Sequence, residues 1–191
     1  MSIPTPLPAD SPLVTADEFE RLPAEEGWLF ELVRGVVVRE KSPRPLHGRL
    51  QSRMAYKLES WLEGRNEGGA VLVHAGFRLA SGPDTVRAPD VAYVSAGRIP
   101  ESPYSGGLWR LGPNLVVEVT SPSNTWTDIQ ERVTDYLGAG TPLVWVVDPP
   151  TRTVTVYRPG VRAERLDEAG ELEGEDVLPG FRLRLGEFFD V

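Results

Sequence analysis

The chain has 191 residues, a formal net charge of −8 and no cysteine. This length suits one domain with a sizeable core, because two cores would each have fewer than about 100 residues. The absence of cysteine excludes disulfides, thiolate zinc sites and a cysteine nucleophile, and no apolar run approaches the roughly 18 residues of a membrane span. We expect a cytoplasmic protein with one domain at 13–191, behind a Pro-rich lead at 1–12 without a signal-peptide pattern.

The first predicted elements are a short helix and a hairpin. Thr15 to Glu18 has the spacing of a capping box, which predicts the start of a helix. The segments Trp28 to Val33 and Val36 to Val38 are rich in β-formers and flank Arg34-Gly35. This pattern predicts two strands around a tight turn.

A longer helix and a second strand pair follow. From His47 to Leu62, apolar residues recur at spacings of three and four, which predicts an amphipathic helix that ends at Gly64. Val71 to Leu79 and Val86 to Val94 are rich in β-formers and are separated by a turn signal, so each is predicted to be one strand. The Gly- and Pro-containing loop at 95–112 is long enough for a functional flap or a flexible insertion.

The centre of the chain predicts a strand, a helix and a strand in succession. Leu115 to Val119 is an apolar run broken by one acid, as in a strand buried on both faces. A helix is predicted next, and Leu143 to Val147 is the following buried strand, so the two strands should be parallel neighbours. The remaining predictions are a strand at Thr153–Tyr157, an acidic turn region, a short strand at Phe181–Leu185 and an apolar tail through Phe188 and Phe189.

Charge is unevenly distributed along the chain. Between Arg34 and Lys57, seven cations stand against one acid, Glu40, whereas acids dominate Glu164 to Asp176. An acidic protein repels a polyanion at long range, but a local basic face can contact phosphates. A solvated helix face with ordinary surface arginines explains the same cations equally well.

Three acids lie within or beside apolar strands. Glu118 stands between Val117 and Val119, Glu31 lies in the first hairpin strand, and Asp90 directly precedes a strand-like run. An isolated carboxylate in such a strand costs several kcal/mol unless it is paired, protonated or bound to a cation. These acids therefore require partners.

Ordinary structural roles remain open for each acid. Asp90 could cap a turn, and Glu31 could pair with Arg34 or Arg39 across the hairpin. Glu118 could be neutralised by one buried arginine. Asp148, which precedes two prolines, is better explained as a turn residue than as a metal ligand.

A carboxylate cluster without cysteine favours Mg²⁺ or Mn²⁺, which one or two carboxylates commonly hold together with water. The only histidines, His47 and His74, are too few for a three-histidine zinc site. The sequence also has no nucleophile elbow of the Gly-x-Ser-x-Gly type and no phosphate-binding P-loop.

Several of these residues belong to longer motifs that follow one another in a recognisable order. They are Phe30-Glu31-Leu32-Val33-Arg34-Gly35, His47, Ala88-Pro89-Asp90-Val91, Val117-Glu118-Val119-Thr120-Ser121-Pro122-Ser123, Val144-Trp145-Val146-Val147-Asp148-Pro149 and Leu178-Pro179-Gly180-Phe181. This series resembles the Uma-type family of putative restriction endonucleases, within the PD-(D/E)XK nuclease superfamily. The match covers nearly the whole chain.

The resemblance implies a restriction-endonuclease-like α/β fold, in which helices flank a central mixed β-sheet. It implies Asp90 and Glu118 as metal ligands for Mg²⁺ or Mn²⁺. The superfamily lysine is replaced by Thr120, and the family often carries that lysine on the following helix instead. At the matching spacing, between an Asp and a Tyr, this chain has Arg132.

Arg132 can supply charge and hydrogen bonds, but a guanidinium cannot act as a general base. Its alternative role is an exposed salt bridge with Asp128. The resemblance also gives Glu31 as a third catalytic acid. Weaker candidates for substrate contact are His47, Arg49 and Arg53, where a phosphate at the helix N-terminus is physically reasonable.

We therefore expect a metal-dependent endonuclease that acts on nucleic acid, with DNA preferred, and that could form a homodimer. The alternative is a catalytically inactive binding or regulatory protein that keeps the nuclease fold. Two weaker alternatives are a structural oligomer that uses the apolar tail and a carboxylate-pair hydrolase that acts on sugars.

Overall fold

The structure is a computed structural model that describes residues 13–41, 44–65, 68–104 and 106–191. The predicted lead at 1–12 lies outside the described residues. The helices are α1 (Ala16–Phe19), α2 (Pro45–Glu63), α3 (Trp126–Gly138) and α4 (Leu185–Phe189). The strands are β1 (Trp28–Val33), β2 (Val36–Lys41), β3 (Gly69–Leu72), β4 (Phe77–Ala80), β5 (Thr85–Arg87), β6 (Val91–Ser95), β7 (Leu115–Val119), β8 (Leu143–Asp148), β9 (Thr153–Arg158), β10 (Val161–Leu166), β11 (Glu171–Glu173) and β12 (Arg182–Arg184).

The strands form three sheets. The largest has six strands in the order β10-β9-β8-β7-β6-β3, and a second has four in the order β2-β1-β5-β4. In the six-stranded sheet β7 and β8 are parallel, whereas the other pairs are antiparallel. This confirms the predicted mixed sheet. Strands β11 and β12 form a separate antiparallel pair.

The predicted crossover from β7 through α3 to β8 is confirmed. All five residues of β7 are buried, and Leu115 is level with Leu143 in the parallel pair. Helix α3 begins with a capping box in which Thr125 and Asp128 bond reciprocally. Such a box satisfies backbone N–H groups that the first helical turn leaves unpaired.

The two faces of the six-stranded sheet are covered differently. One face packs against α2 and the C-terminal segment in a cluster of buried apolar side chains that includes Leu58, Val117, Trp145 and Phe181. We call it the apolar face. The other face packs against α3 and carries Glu118. We call it the ionic face.

The first hairpin is confirmed, because β1 and β2 pair antiparallel around Arg34-Gly35. Both turn residues have positive φ values, 49° and 77°, as a two-residue turn of type I′ requires. Helix α2 begins at Pro45, two residues before its predicted start, and Gly64 caps its C-terminal end as predicted.

The predicted strand pair around the turn at 81–84 is confirmed by β4 and β5, but the prediction that Val71–Leu79 and Val86–Val94 are each one strand is wrong. The chain instead forms four strands, with β3 pairing with β6 in the six-stranded sheet and β4 pairing with β5 in the four-stranded sheet. His74 interrupts the first run with φ 51°, which a continuous strand cannot accommodate. Each run therefore passes from one sheet to the other.

The loop at 95–112 is attached to the fold at several points. A short 3₁₀ turn spans Ala96–Arg98. Trp109 is buried against Phe77 and forms a β-bridge with it, and the Leu108 N–H donates to the Glu20 carboxylate. These contacts argue against a flexible insertion.

The C-terminal quarter holds more regular structure than predicted. The predicted acidic turn region contains β10 and β11, and β10 is almost fully exposed, so it lacks the apolar alternation that marks a half-buried strand. The apolar tail is the short helix α4, with Phe188 and Phe189 buried. In the described ranges, no helix is long and apolar enough to cross a membrane.

Candidate active site

Two buried carboxylates lie beside each other where β6 and β7 pair. Val91, the first residue of β6, is opposite Val117 in β7, so Asp90 directly precedes this pair on one strand and Glu118 directly follows it on the other. Each of these residues is only 6% exposed, and the negative charge of Asp90 contributes to the raised pKa of Glu118. The structure thus brings together the two acids that the sequence singled out.

The Asp90 carboxylate is contacted from three sides. Its Oδ2 accepts a hydrogen bond of 2.7 Å from the Val119 N–H, and its Oδ1 lies 2.7 Å from His47 Nε2. His74 Nε2 is 3.6 Å from the same Oδ1. The Asp90 backbone is also held, because Gln51 Nε2 donates to its carbonyl at 2.8 Å. Asp90 is therefore fixed in position and orientation.

The surroundings of the Glu118 carboxyl group disfavour a negative charge. Burial raises its pKa, Arg132 opposes this rise, and the negative charges of Asp90 and Glu31 add to it, so that the pKa is about 8. Tyr136 donates its hydroxyl to Glu118 Oε1 at 2.6 Å, and Arg132 Nη1 is 3.6 Å from the same oxygen. In the absence of a further cation, the Glu118 carboxyl group therefore keeps its proton to a higher pH than an ordinary glutamate does.

Both carboxylate oxygens of Glu31 accept hydrogen bonds, from two arginine side chains and one backbone N–H. Its Oε1 accepts from Arg132 Nη1 at 2.8 Å and from the Ala88 N–H at 3.0 Å, while Oε2 accepts from Arg87 Nη1 at 2.8 Å. Burial would raise the pKa of Glu31, but the two guanidinium groups and the N–H outweigh it and lower the pKa. The hairpin acid therefore pairs with distant arginines.

Arg132 is buried and bridges acids from different elements. It is 4% exposed and donates to Glu31 and to Glu40 on β2. Asp128 instead bonds the N-terminus of α3 through Thr125, so the alternative of an exposed Arg132–Asp128 salt bridge is wrong. Burial would lower the pKa of Arg132, but the surrounding carboxylates raise it far above its usual value.

A second buried arginine, on β5, extends the ionic cluster. Arg87 donates to Glu31 on one side, and its Nε and Nη2 donate to Asp135 at 2.9 and 2.6 Å on the other. The cluster therefore links β1, β5 and α3 through charge-assisted hydrogen bonds, which are stronger than neutral ones.

Asp90 and Glu118 together fit a divalent cation that needs few protein ligands. Among the described residues, no three or more His, Cys, Asp or Glu side chains are arranged as a metal cage. Mg²⁺ is commonly held by one or two carboxylates and keeps several waters, and a cation beside Glu118 would offset the buried charge that raises its pKa. Glu31 does not fit as a third ligand, because both its oxygens are engaged by cations.

The remaining predicted residues have varied surroundings. Arg49 is exposed, and Arg53 donates to the backbone carbonyls of Glu187 and Asp190, so it holds α4 in this structure. Substrate contact at either arginine stays a prediction. Thr120, at the superfamily lysine position, donates to Asp148, and Asp148 also accepts from Thr151, which agrees with its predicted role in a turn.

Four residues of this site were not identified from the sequence as parts of it. His74 contacts Asp90, Arg87 contacts Glu31 and Glu40 accepts from Arg132. Tyr136, used only to mark a spacing, contacts Glu118. Arg87 could have been found, because it is a charged residue within an otherwise apolar run. The others depend on contacts between segments that are distant in the chain.

Comparisons with known proteins agree with this architecture. The family model described as "Uma2: Putative restriction endonuclease" matches residues 16–186. A crystal structure of a putative nuclease belonging to DUF820 from Anabaena variabilis matches with a TM-score of 0.81 and 23% sequence identity, covering 92% of this chain and 97% of that chain. The fold prediction is thereby confirmed. No curated protein matches the chain significantly.

Proposed function

Because the chain belongs to the Uma2 family of putative restriction endonucleases, we propose that it is a metal-dependent endonuclease that hydrolyses phosphodiester bonds in DNA. The observation that carries this proposal is the neighbouring pair of buried carboxylates, Asp90 and Glu118, beside the buried cation Arg132. Burial of such acids lowers the stability of a fold, and acids in this kind of environment are typical of catalytic sites.

Asp90 and Glu118 would hold Mg²⁺ or Mn²⁺, as hard oxygen ligands do. When bound, such an ion supplies charge that polarises a scissile phosphate and lowers the pKa of an attacking water. The raised pKa of Glu118 means that metal binding competes with a proton there. Metal affinity should accordingly rise with pH up to about 8.

The protein's own groups orient and stabilise this site. His47 and the Val119 N–H fix the two Asp90 oxygens, and the Tyr136 hydroxyl fixes Glu118. Arg132 contributes a permanent positive charge, which suits a developing phosphorane charge. It cannot accept a proton, so proton removal from water must occur without this residue.

The test is a cleavage assay with plasmid, single-stranded DNA and RNA in Mg²⁺ or Mn²⁺. We expect Asp90→Ala and Glu118→Ala each to abolish cleavage. Glu173→Ala, which removes an exposed acid from β11, serves as the matched control and should cleave like the parent. Undiminished cleavage by both site variants would contradict the proposal.

The environment of Arg132 favours a second candidate function. This side chain is already engaged by Glu31 and Glu40, which favours a site that binds nucleic acid without turnover. In that case the parent protein binds DNA without cleaving it, and Arg132→Lys restores cleavage, because a shorter and more mobile ammonium replaces the fixed guanidinium. An active parent would exclude this second function.

A further inference from the structure

His74 occupies a position that its backbone does not favour. It links β3 to β4 with φ 51°, a left-handed conformation that is strained for a residue other than glycine. Its N–H donates to the Pro89 carbonyl at 3.1 Å, which attaches it to the residue before Asp90. Strain of this kind persists where the surrounding structure requires it.

The His74 ring is directed at the candidate site. Its Nε2 is 3.6 Å from Asp90 Oδ1, slightly longer than a hydrogen bond. Its Nδ1 is buried and has no hydrogen-bond partner among the described residues. The geometry therefore places Nε2, rather than Nδ1, beside the Asp90 carboxylate.

His47 approaches the same oxygen from a different element. It lies in the first turn of α2, with its Nε2 2.7 Å from Asp90 Oδ1, and its Nδ1 is likewise buried and unpartnered in the described structure. Two imidazoles from separate segments therefore flank one carboxylate oxygen, while the Val119 N–H occupies the other.

We propose that His74 is a positioning residue that, together with His47, sets the orientation of Asp90 for metal binding. Residues that hydrogen-bond a metal ligand commonly change metal affinity by about 10- to 100-fold when they are replaced. The metal part of this inference rests on the proposed function. The contact between His74 and Asp90 does not.

The contact itself is tested on the metal-free protein. The chain has only two histidines, so a long-range ¹H–¹⁵N spectrum shows two sets of ring signals, which His47→Gln assigns. We expect Asp90→Asn to shift the ring nitrogens of both His47 and His74, because the amide replaces the acceptor that both rings face. Unchanged His74 ring signals in Asp90→Asn would overturn the proposal.

The positioning role is tested by calorimetric titration with Mn²⁺. His74→Gly removes the ring and relieves the left-handed strain, so a loss of affinity in a folded variant reports the ring alone. We expect at least about fivefold weaker Mn²⁺ binding in His74→Gly. His74→Gln, whose amide nitrogen can take the place of Nε2, should stay within about twofold of the parent.

The outcomes separate the two proposals. If the parent binds Mn²⁺ and His74→Gly binds it equally well, His74 has no positioning role. If the parent binds no Mn²⁺, the proposed metal-dependent function fails, and the Asp90→Asn spectrum still decides whether His74 contacts Asp90.

Discussion

The apolar face and the ionic face of the six-stranded sheet are stabilised by different kinds of interaction. On the apolar face, α2 and the C-terminal segment bury hydrocarbon side chains such as Leu58 and Phe181. On the ionic face, Glu118 and Arg132 lie buried beside apolar residues of β7, β8 and α3. The same strands thus contribute to a hydrophobic core on one side and to a charged site on the other.

This difference determines how each face responds to change. Burial of hydrocarbon is non-directional and depends on area and packing, so each apolar residue contributes nearly independently of pH. A buried charge depends on its partner, and removal of one member leaves the other uncompensated. The ionic face should therefore be more sensitive to single substitutions and to pH than the apolar face.

The largest expected effect is that of Glu31→Ala. This change removes the anion shared by Arg87 and Arg132 and leaves two buried cations close together. We expect a loss of about 3 to 5 kcal/mol in the free energy of unfolding, measured by urea denaturation. A loss below about 1 kcal/mol would show that Glu40 and Asp135 can neutralise both arginines without Glu31.

Leu58→Ala provides the matching test on the apolar face. Leu58 is fully buried in the cluster beneath α2, and its truncation should cost about 3 kcal/mol through lost transfer energy and a residual cavity. The cost should be equal at pH 5 and pH 8, because no titratable group is involved. A strong dependence on pH would argue that the two faces are energetically coupled.

Tyr136→Phe is expected to have a smaller effect. It keeps the packing of the ring and removes the hydroxyl that donates to Glu118. The loss of one buried hydrogen bond should cost about 1 to 2 kcal/mol. Thermal unfolding measures this cost. Tyr157→Phe is the control, because it also removes a tyrosine hydroxyl but loses only the hydrogen bond from Gln130. A larger loss in Tyr136→Phe than in Tyr157→Phe would be the effect of the Glu118 contact.

Glu118→Gln should change stability least below pH 4.5 and should mainly alter how stability depends on pH. The pKa of Glu118 is about 8 in the folded protein against an ordinary value of 4.5, so the folded state holds a proton that the unfolded state releases. The contribution of Glu118 to the stability of the metal-free parent should be greatest below pH 4.5 and should fall as the pH rises toward 8.

Glutamine resembles the protonated carboxyl group, so Glu118→Gln should be close to the parent below pH 4.5 and increasingly more stable than the parent as the pH rises toward 8. Urea denaturation across this range measures the effect. If the free energy of unfolding of the variant falls between pH 5 and pH 8 as steeply as that of the parent, another group causes the dependence on pH.

The sequence alone was sufficient to predict those elements whose local pattern of apolar, polar and turn residues determines their structure. The apolar spacing of α2, the β7–α3–β8 crossover and the hairpin turn at Arg34-Gly35 all rest on local rules. The break at His74 was missed, because a left-handed histidine leaves no signal in a run of β-formers. Strand β10 was missed because it is exposed.

The candidate site was predictable only in part. Asp90, Glu118 and Glu31 stand out because charge is costly in apolar strands. Their partners do not stand out, since Glu31 pairs with residues 56 and 101 positions away. Arg132 in particular has the spacing of an exposed helical pair with Asp128, and only tertiary packing determines that it is buried instead.

The most direct test of the ionic face as a metal site is an anomalous difference map from crystals soaked with Mn²⁺. The account predicts one Mn²⁺ ion coordinated by both Asp90 and Glu118, with Glu31 still bound to Arg87 and Arg132. An ion coordinated by Glu31, or no ion at Asp90 and Glu118 at saturating Mn²⁺, would contradict it.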